Sequence, residues 1–260
     1  HQAYKKCVLV ILCDIYIRTN KGFMAKDKRV EKVRFTSWRP FGPQILVGDM
    51  PDNIYKEFYG IIKTTLKDKE SDHDYKLAGR IDDEYTIPDR LLYQTQTEEF
   101  FEQVVEKYAR DVAERQIFEA QQFGNSSHKT WKQTMDNAQF TINRLSGWVN
   151  EMKSGEYNPI HYHPFCNITS VFFFSDVNEK FLDGIIAPTS NLDENGEVRI
   201  DEKNADDGML DIIYSTNNYW QTGSVRVRPK KGMFLLFPGD LLHTVYPFKS
   251  KSTRISASFN

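Results

Sequence analysis

The sequence predicts an α+β protein, a β-sandwich or barrel backed by helices. Two observations carry this. Before residue 125, two stretches repeat apolar residues at helical spacing; after about residue 137, short β-rich runs alternate with turn signals. Helices first and strands afterwards fit segregated layers better than alternating βαβ units. The size agrees: 260 residues with 40% hydrophobic content can bury one large core.

The first 40 residues are basic. Ten Lys or Arg stand against three acids, a net +7 in a chain of net charge -2, so the remainder carries -9. This predicts a solvated basic arm, and the near-neutral whole gives no general reason for nucleic-acid binding. "MAKDKRVEKVRF" from Met24 reads like the start of a chain, so residues 1–23 are expected to be non-native upstream sequence. The run "CVLVILC" follows two lysines but is short, is closed by Asp14 and lacks a small-residue cleavage site, which argues against a signal peptide. No apolar run approaches the length of a membrane span. Three cysteines, Cys7, Cys13 and Cys166, make no disulfide framework and point to a reducing compartment, hence an expected cytoplasmic location.

A short strand is expected at Gln44 to Val47, then a turn at Gly48, Asp49 and Pro51. A helix follows from near Asp52, with Ile54, Phe58, Ile61, Ile62 and Leu66 at helical spacing. Residues 68–95 read as polar and irregular. The next helix is the strongest in the chain: Thr97 is expected to cap it, acids follow in the first turn, and Gly124 stops it. Phe101, Val104, Val105, Tyr108, Val112 and Ile117 form its apolar face. Strands are expected near 139–150, 157–163, 167–175, 183–187, 224–228, 232–237, 242–247 and 253–259. The long polar segment 189–208 reads as a loop, and loops of that length are often lids. The expected organisation is an N-terminal extension (1–43), a helical support region (44–136) and a β core (137–260).

The chemistry concentrates in the β core. "NPIHYHP" (158–164) holds two of the six histidines, and residues i and i+2 of a strand point to one face. Alone, His161 and His163 read as ordinary polar residues on a half-exposed strand. A third histidine, His243, follows the turn in "KKGMFLLFPGDLLHTVYPF", 80 residues after His163. Two ligands on one strand and a third on a distant strand can form one face of a metal's coordination sphere, with the opposite positions open. Arg254 comes 11 residues after His243, in "STRISASFN". There Arg254, Ser256 and Ser258 alternate with Ile255, Ala257 and Phe259, so one face is polar with a single guanidinium. An inward arginine can grip a carboxylate bidentately; on an exposed edge strand it would only face solvent.

Together these residues resemble the iron(II)/2-oxoglutarate-dependent dioxygenases, whose pattern is His-x-Asp/Glu, a distal His, and Arg-x-Ser or Lys about ten residues later. The resemblance covers about 137–260 and rests on "WVNEMKSGEYNPIHYHP", "ITSVFFF", "KKGMFLLFPGDLLHTVYP" and "RISASFN". It is greatest to a subgroup of oxygenases from phage and bacteria related to the prolyl 4-hydroxylases. It implies a double-stranded β-helix (jelly-roll) core with N-terminal helices packed on one sheet. It implies iron(II) bound by His161, His163 and His243, and 2-oxoglutarate held through its distal carboxylate by Arg254 with Ser256. Tyr157 and Asn158 fall where the family often contacts the co-substrate, though their spacing differs by one residue. The implied reaction hydroxylates an unactivated carbon of an unidentified prime substrate (a peptide side chain, a nucleotide or a metabolite), using dioxygen and converting 2-oxoglutarate to succinate. The departure is His163, which stands where the family usually has a carboxylate. Three-histidine iron sites occur in dioxygenases that do not use 2-oxoglutarate, so that reading stays open, as does a catalytically silent jelly roll that binds sugar or serves as a binding or virion protein.

Other candidates have plainer readings. Asp240, three residues before His243, is a turn residue or a partner to that histidine. Cys166 is a structural cysteine, and His73 and His128 have no partners in sequence. Trp148 and Trp220 either line a pocket or fill core.

Overall fold

Alternation along the strands sets the architecture. The computed structural model describes residues 11–18, 30–38, 42–68, 81–122, 129, 132–133, 142–144, 146–175, 186–188, 208–215, 223–249 and 251–260. In chain order the elements are β1 (Ile11–Arg18), β2 (Val30–Trp38), β3 (Ile45–Asp49), α1 (Asp52–Lys67), β4 (Glu84–Thr86), α2 (Asp89–Leu92), α3 (Gln96–Gln122), β5 (Gly147–Met152), β6 (Asn158–His161), β7 (Ile168–Phe173), β8 (Ile186–Pro188), β9 (Leu210–Ile213), β10 (Ser224–Val227), β11 (Met233–Pro238), β12 (Leu242–Val245) and β13 (Arg254–Phe259). They form an eight-stranded sheet, β1-β2-β3-β11-β7-β13-β5-β4, and a five-stranded sheet, β6-β12-β9-β10-β8. From β5 onward the chain crosses between the sheets: β5, β7, β11 and β13 lie in the large one, and β6, β8 to β10 and β12 in the small one.

Period-2 strands give the large sheet two different faces. Phe172, Phe234, Leu236, Ala257 and Phe259 point to one side and pack with Ile54, Phe58 and Ile62 of α1 and Phe100, Phe101 and Val104 of α3. Phe58 is fully buried and meets Phe101, Phe172 and Phe174 edge-on, with ring centroids 4.8 to 5.5 Å apart. The intervening residues Met152, Val171, Phe173, Met233, Leu235 and Phe237 point the other way, onto Leu210, Ile212, Val225, Val227 and Val245 of the small sheet. The result is three layers: helices, large sheet, small sheet.

Several elements differ from the sequence expectations. The described parts of the basic N-terminal region are strands. Residues 11–18 and 30–38 pair antiparallel, and Phe35 to Trp38 pair with β3. Lys32 and Arg34 alternate with Val33 and Phe35, a strand period that counting charge hides. The irregular stretch 68–95 contains β4 and α2, and β9 was not anticipated. Helix α3 is capped by Thr95, not Thr97: the Glu98 N–H donates to Thr95 Oγ1 at 3.1 Å, and Glu98 Oε2 reaches back to accept the Gln94 N–H at 2.8 Å. Thr97 is fully buried and ties α3 to α1, its N–H and hydroxyl both donating to Glu57 Oε2 at 2.7 Å. The proposed lid at 189–208 lies outside the described residues apart from Gly208, as do His73, His128 and Trp220.

Candidate metal centre

The small-sheet side of the large sheet is apolar except near one end. There β13 presents Arg254, Ser256 and Ser258, and β5 presents Trp148, Asn150 and Met152 opposite them in register. Across the gap, β6 and β12 bring Asn158, His161, His243 and Val245 to the same cavity.

The three histidines converge although 80 residues separate two of them. His161 pairs directly with His243 across β6 and β12. His163 arrives differently from the sequence expectation. Strand β6 ends at His161, and His163 stands in the following loop, its N–H donating to the Gly239 carbonyl at 2.8 Å. Gly239 also donates its own N–H to Asn167 at 3.2 Å, so the Pro-Gly-Asp turn before His243 is stitched to the loop after His163. That close approach requires glycine: a Cβ at 239 would sit 2.4 Å from the Cys166 carbonyl oxygen. Phe165, at the loop's tip, has φ 64° and is almost fully exposed.

The imidazoles are prepared as ligands. His161 Nδ1 donates to the Pro159 carbonyl at 2.7 Å, and His243 Nδ1 donates to the Leu241 carbonyl at 2.9 Å. Each bond fixes the tautomer that leaves Nε2 bare. One ligand-capable nitrogen from each of the three rings lies within 4.8 Å of the others. The Nε2 atoms of His163 and His243 are 3.2 Å apart. Two ligands at right angles on a metal with bonds of about 2.0–2.1 Å stand roughly 3 Å apart, so this spacing fits shared coordination. Burial lowers His243 to about 3, helped by His161, and lowers His163 to about 4, again with His161 adding. Burial also lowers His161, opposed by its bond to Pro159. All three are therefore neutral at pH 7, as a metal requires. Neutral nitrogen donors suit iron, zinc, copper or nickel.

Arg254 is the second feature. It is 2% exposed, and burial pushes its guanidinium down to about 10, leaving it charged at neutral pH. Its Nε donates to the Gly208 carbonyl at 3.2 Å, one terminal nitrogen donates to Ser256 Oγ at 2.9 Å, and its plane lies over Phe173. Among the described residues no carboxylate pairs with it. A buried charge without a counter-ion is costly, so the arrangement is suited to an anion brought from outside.

Of the residues singled out from the sequence, His161, His163, His243, Arg254, Ser256 and Asn158 line one cavity; Tyr157 is 40% exposed and is not among its lining residues. Asp240 makes no bond to His243. Cys166 Sγ donates to the Ile168 carbonyl at 2.9 Å, and burial raises its thiol. Sequence reasoning missed Asn150 as a site residue. It lines the cavity, is 6% exposed, and its Oδ1 has no partner. The alternation in "WVNEM" groups it with Trp148 and Met152, but only the register with β13 gives that face its chemistry.

Residues 146–260 match the family described as "Putative 2OG-Fe(II) oxygenase", a little under half of the chain and the segment that carries the motifs. The cofactors of that family are iron(II) and 2-oxoglutarate. No curated protein sequence matches the chain. Among solved structures, an oxidoreductase of the 2OG-Fe(II) oxygenase family from Burkholderia pseudomallei is 11% identical with a TM-score of 0.31; the match covers 52% of this chain and 50% of that one. A prolyl-4-hydroxylase from Pseudomonas putida is 11% identical, covering 83% of this chain and 90% of that one, with a TM-score of 0.45. HygX from Streptomyces hygroscopicus, with nickel and 2-oxoglutarate bound, is 10% identical, covering 83% and 80%, with a TM-score of 0.40. Among the described residues no helix is long and apolar enough to cross a membrane.

Proposed function

We propose that the chain is an iron(II)- and 2-oxoglutarate-dependent hydroxylase built on a double-stranded β-helix. The crossing of β5 to β13 between two facing sheets supports that fold, with 137–260 as the core, 44–136 as support and 1–43 as an extension. The observation that carries the function is Arg254, a buried cation that meets no carboxylate among the described residues, sharing a cavity with three neutral histidines. A three-histidine centre that binds no 2-oxoglutarate gives Arg254 no role. A structural jelly roll gives neither feature a role.

In this reading His161, His163 and His243 hold the metal. Arg254 holds the distal carboxylate of 2-oxoglutarate, and the Ser256 hydroxyl orients the guanidinium. The side-chain amides of Asn150 and Asn158, which line the same cavity, offer the remaining N–H donors to the co-substrate. Bound iron supplies the oxidising chemistry that couples decarboxylation of 2-oxoglutarate to hydroxylation of a carbon. The chain positions the reactants and keeps water out: Val171, Leu210 and Val245 wall the site, with Phe173 packed against Arg254 and Phe237 against His243. The cavity encloses about 30 Å³, room for a water or two, so a five-carbon diacid enters only as the lining widens. Met152, a flexible side chain against the Arg254 guanidinium, is the natural one to yield.

The test is succinate formation from 2-oxoglutarate by the iron-loaded protein in air, with and without candidate substrates. Arg254→Ala is expected to raise the 2-oxoglutarate requirement about 100-fold or more, the effect of removing one partner of a buried ion pair. Oxygen uptake independent of 2-oxoglutarate would favour the three-histidine alternative, and failure to bind any transition metal would favour the silent jelly roll.

A further inference from the structure

The inference concerns Asn260 and rests on reading the three histidines as a metal site. His163 is the histidine whose tautomer is not fixed by a backbone carbonyl. Its Nδ1 faces the Asn260 side-chain amide, 3.3 Å from Nδ2, and its Nε2 faces His243 Nε2. His243 Nε2 is bare, because its other nitrogen donates to Leu241. In this arrangement Asn260 donates to His163 Nδ1, the His163 proton sits on Nε2, and it is donated to His243. The two rings then hydrogen-bond each other, and the His163 lone pair points away from the cavity.

Rotating the Asn260 amide by half a turn reverses this. Its oxygen then accepts from His163 Nδ1–H, and the Nε2 lone pair is released toward the cavity. Nothing is gained or lost: one proton moves between the nitrogens of a neutral ring. Such a rotation normally leaves an amide mismatched on its far side. Here it does not, because the far side meets a hydroxyl. Thr169 Oγ1 lies 3.1 Å from Asn260 Oδ1 and 3.3 Å from the Phe259 carbonyl. In one state the hydroxyl donates to Asn260. In the other it accepts from Asn260 and donates to Phe259. Thr169 is 1% exposed, so its hydroxyl finds its partners within the protein.

We propose that Asn260, backed by Thr169, is a positioning residue that sets the His163 tautomer and so selects between a His163–His243 hydrogen bond without metal and His163 as third ligand with metal. Unlike a carboxylate, an imidazole must be oriented before it can ligate, and an amide–hydroxyl pair that tolerates both orientations does this without stranding a buried polar group.

Nitrogen-15 NMR of histidine-labelled protein tests this on the unaltered chain. The expected result is His163 protonated on Nε2 without metal and on Nδ1 with zinc(II), while His161 and His243 keep Nδ1–H in both. The same His163 tautomer in both states overturns the proposal. Cobalt(II) titration gives a second readout. Asn260→Leu is expected to weaken binding about 10- to 100-fold. Asn260→Asp, which can only accept, is expected to bind at least as tightly as the unaltered protein. Unchanged affinity in Asn260→Leu, or equal weakening in both variants, overturns the proposal while leaving the metal site standing. Unchanged metal binding in a His161→Ala/His243→Ala variant instead sinks the site reading beneath it.

Discussion

Strand β13 has two faces with opposite physical character. Ile255, Ala257 and Phe259 face the helices and join a cluster of interlocked rings; Arg254, Ser256 and Ser258 face the small sheet and line the cavity. The first face gains stability from every contact it makes. The second holds a buried cation that meets no counter-ion among the described residues, and beside it on β5 the Asn150 amide oxygen has no donor; each costs stability in the metal-free protein. In the proposed function one strand thus divides the molecule into a side that folds and a side that binds, and mutations on the two should separate cleanly.

The largest stability effect is expected on the folding side. Phe58→Ala removes the ring that Phe101, Phe172 and Phe174 surround, and should destabilise by about 3–5 kcal/mol in urea unfolding. Cobalt(II) affinity, measured where the variant is still folded, should not change. The binding side should respond with the opposite sign. Arg254→Met replaces the unpaired cation by an apolar chain of similar length, and should stabilise the metal-free protein by about 1–4 kcal/mol while abolishing tight 2-oxoglutarate binding. A loss of stability in that variant would mean that the Arg254 charge is compensated within the chain, and the division between faces would fail.

Acid sharpens the same contrast. The histidines titrate below their ordinary range in the folded protein, His163 near 4 and His243 near 3. Below pH about 6.5 the unfolded chain takes up protons that the folded triad refuses, so the unfolded state is favoured as pH falls. Their contribution is fully present above that value and is lost on the way down through pH 4 and 3. Urea midpoints of the metal-free protein between pH 7 and 5 should therefore fall, and His163→Leu/His243→Leu should flatten the slope. An equal slope in that variant would assign the acid sensitivity to other groups.

The binding side was the more legible in sequence, for a physical reason. Its residues carry rare chemistry at short, regular spacings: His161 with His163, then His243, then Arg254 before Ser256. Which side chains meet them was not legible, because cross-strand register decides it. Asn150 stands opposite Ser256 only because β5 and β13 pair at that offset. The helices were readable from their apolar period, but their ends were not. Thr95 and Thr97 both precede acids, and only Thr95 has Glu98 three residues on, where its N–H meets the Thr95 hydroxyl and its carboxylate accepts the Gln94 N–H. β4 is three residues long and β9 four, with Asp211 among its apolar residues, so neither offered a period to count. β2 was hidden because its charges were counted as charge and not as every second residue of a strand.

The smallest effect tests whether the helix layer is independent of the cavity. Glu57 on α1 accepts from both the backbone and the hydroxyl of Thr97 on α3, and Thr97 is fully buried. Thr97→Val keeps the shape and the backbone bond and removes only the hydroxyl donor. A hydrogen bond to a charged acceptor is worth somewhat more than a neutral one, so the loss should be about 1–2 kcal/mol. It should appear as a lower urea midpoint with an unchanged slope, since the buried area stays the same. Metal affinity should not move, because α1 and α3 touch the cavity only through the large sheet between them. Weaker cobalt(II) binding in Thr97→Val would mean that the helices hold the sheet in the curvature that brings β13 to the histidines, and the two faces of β13 would then be one mechanical unit.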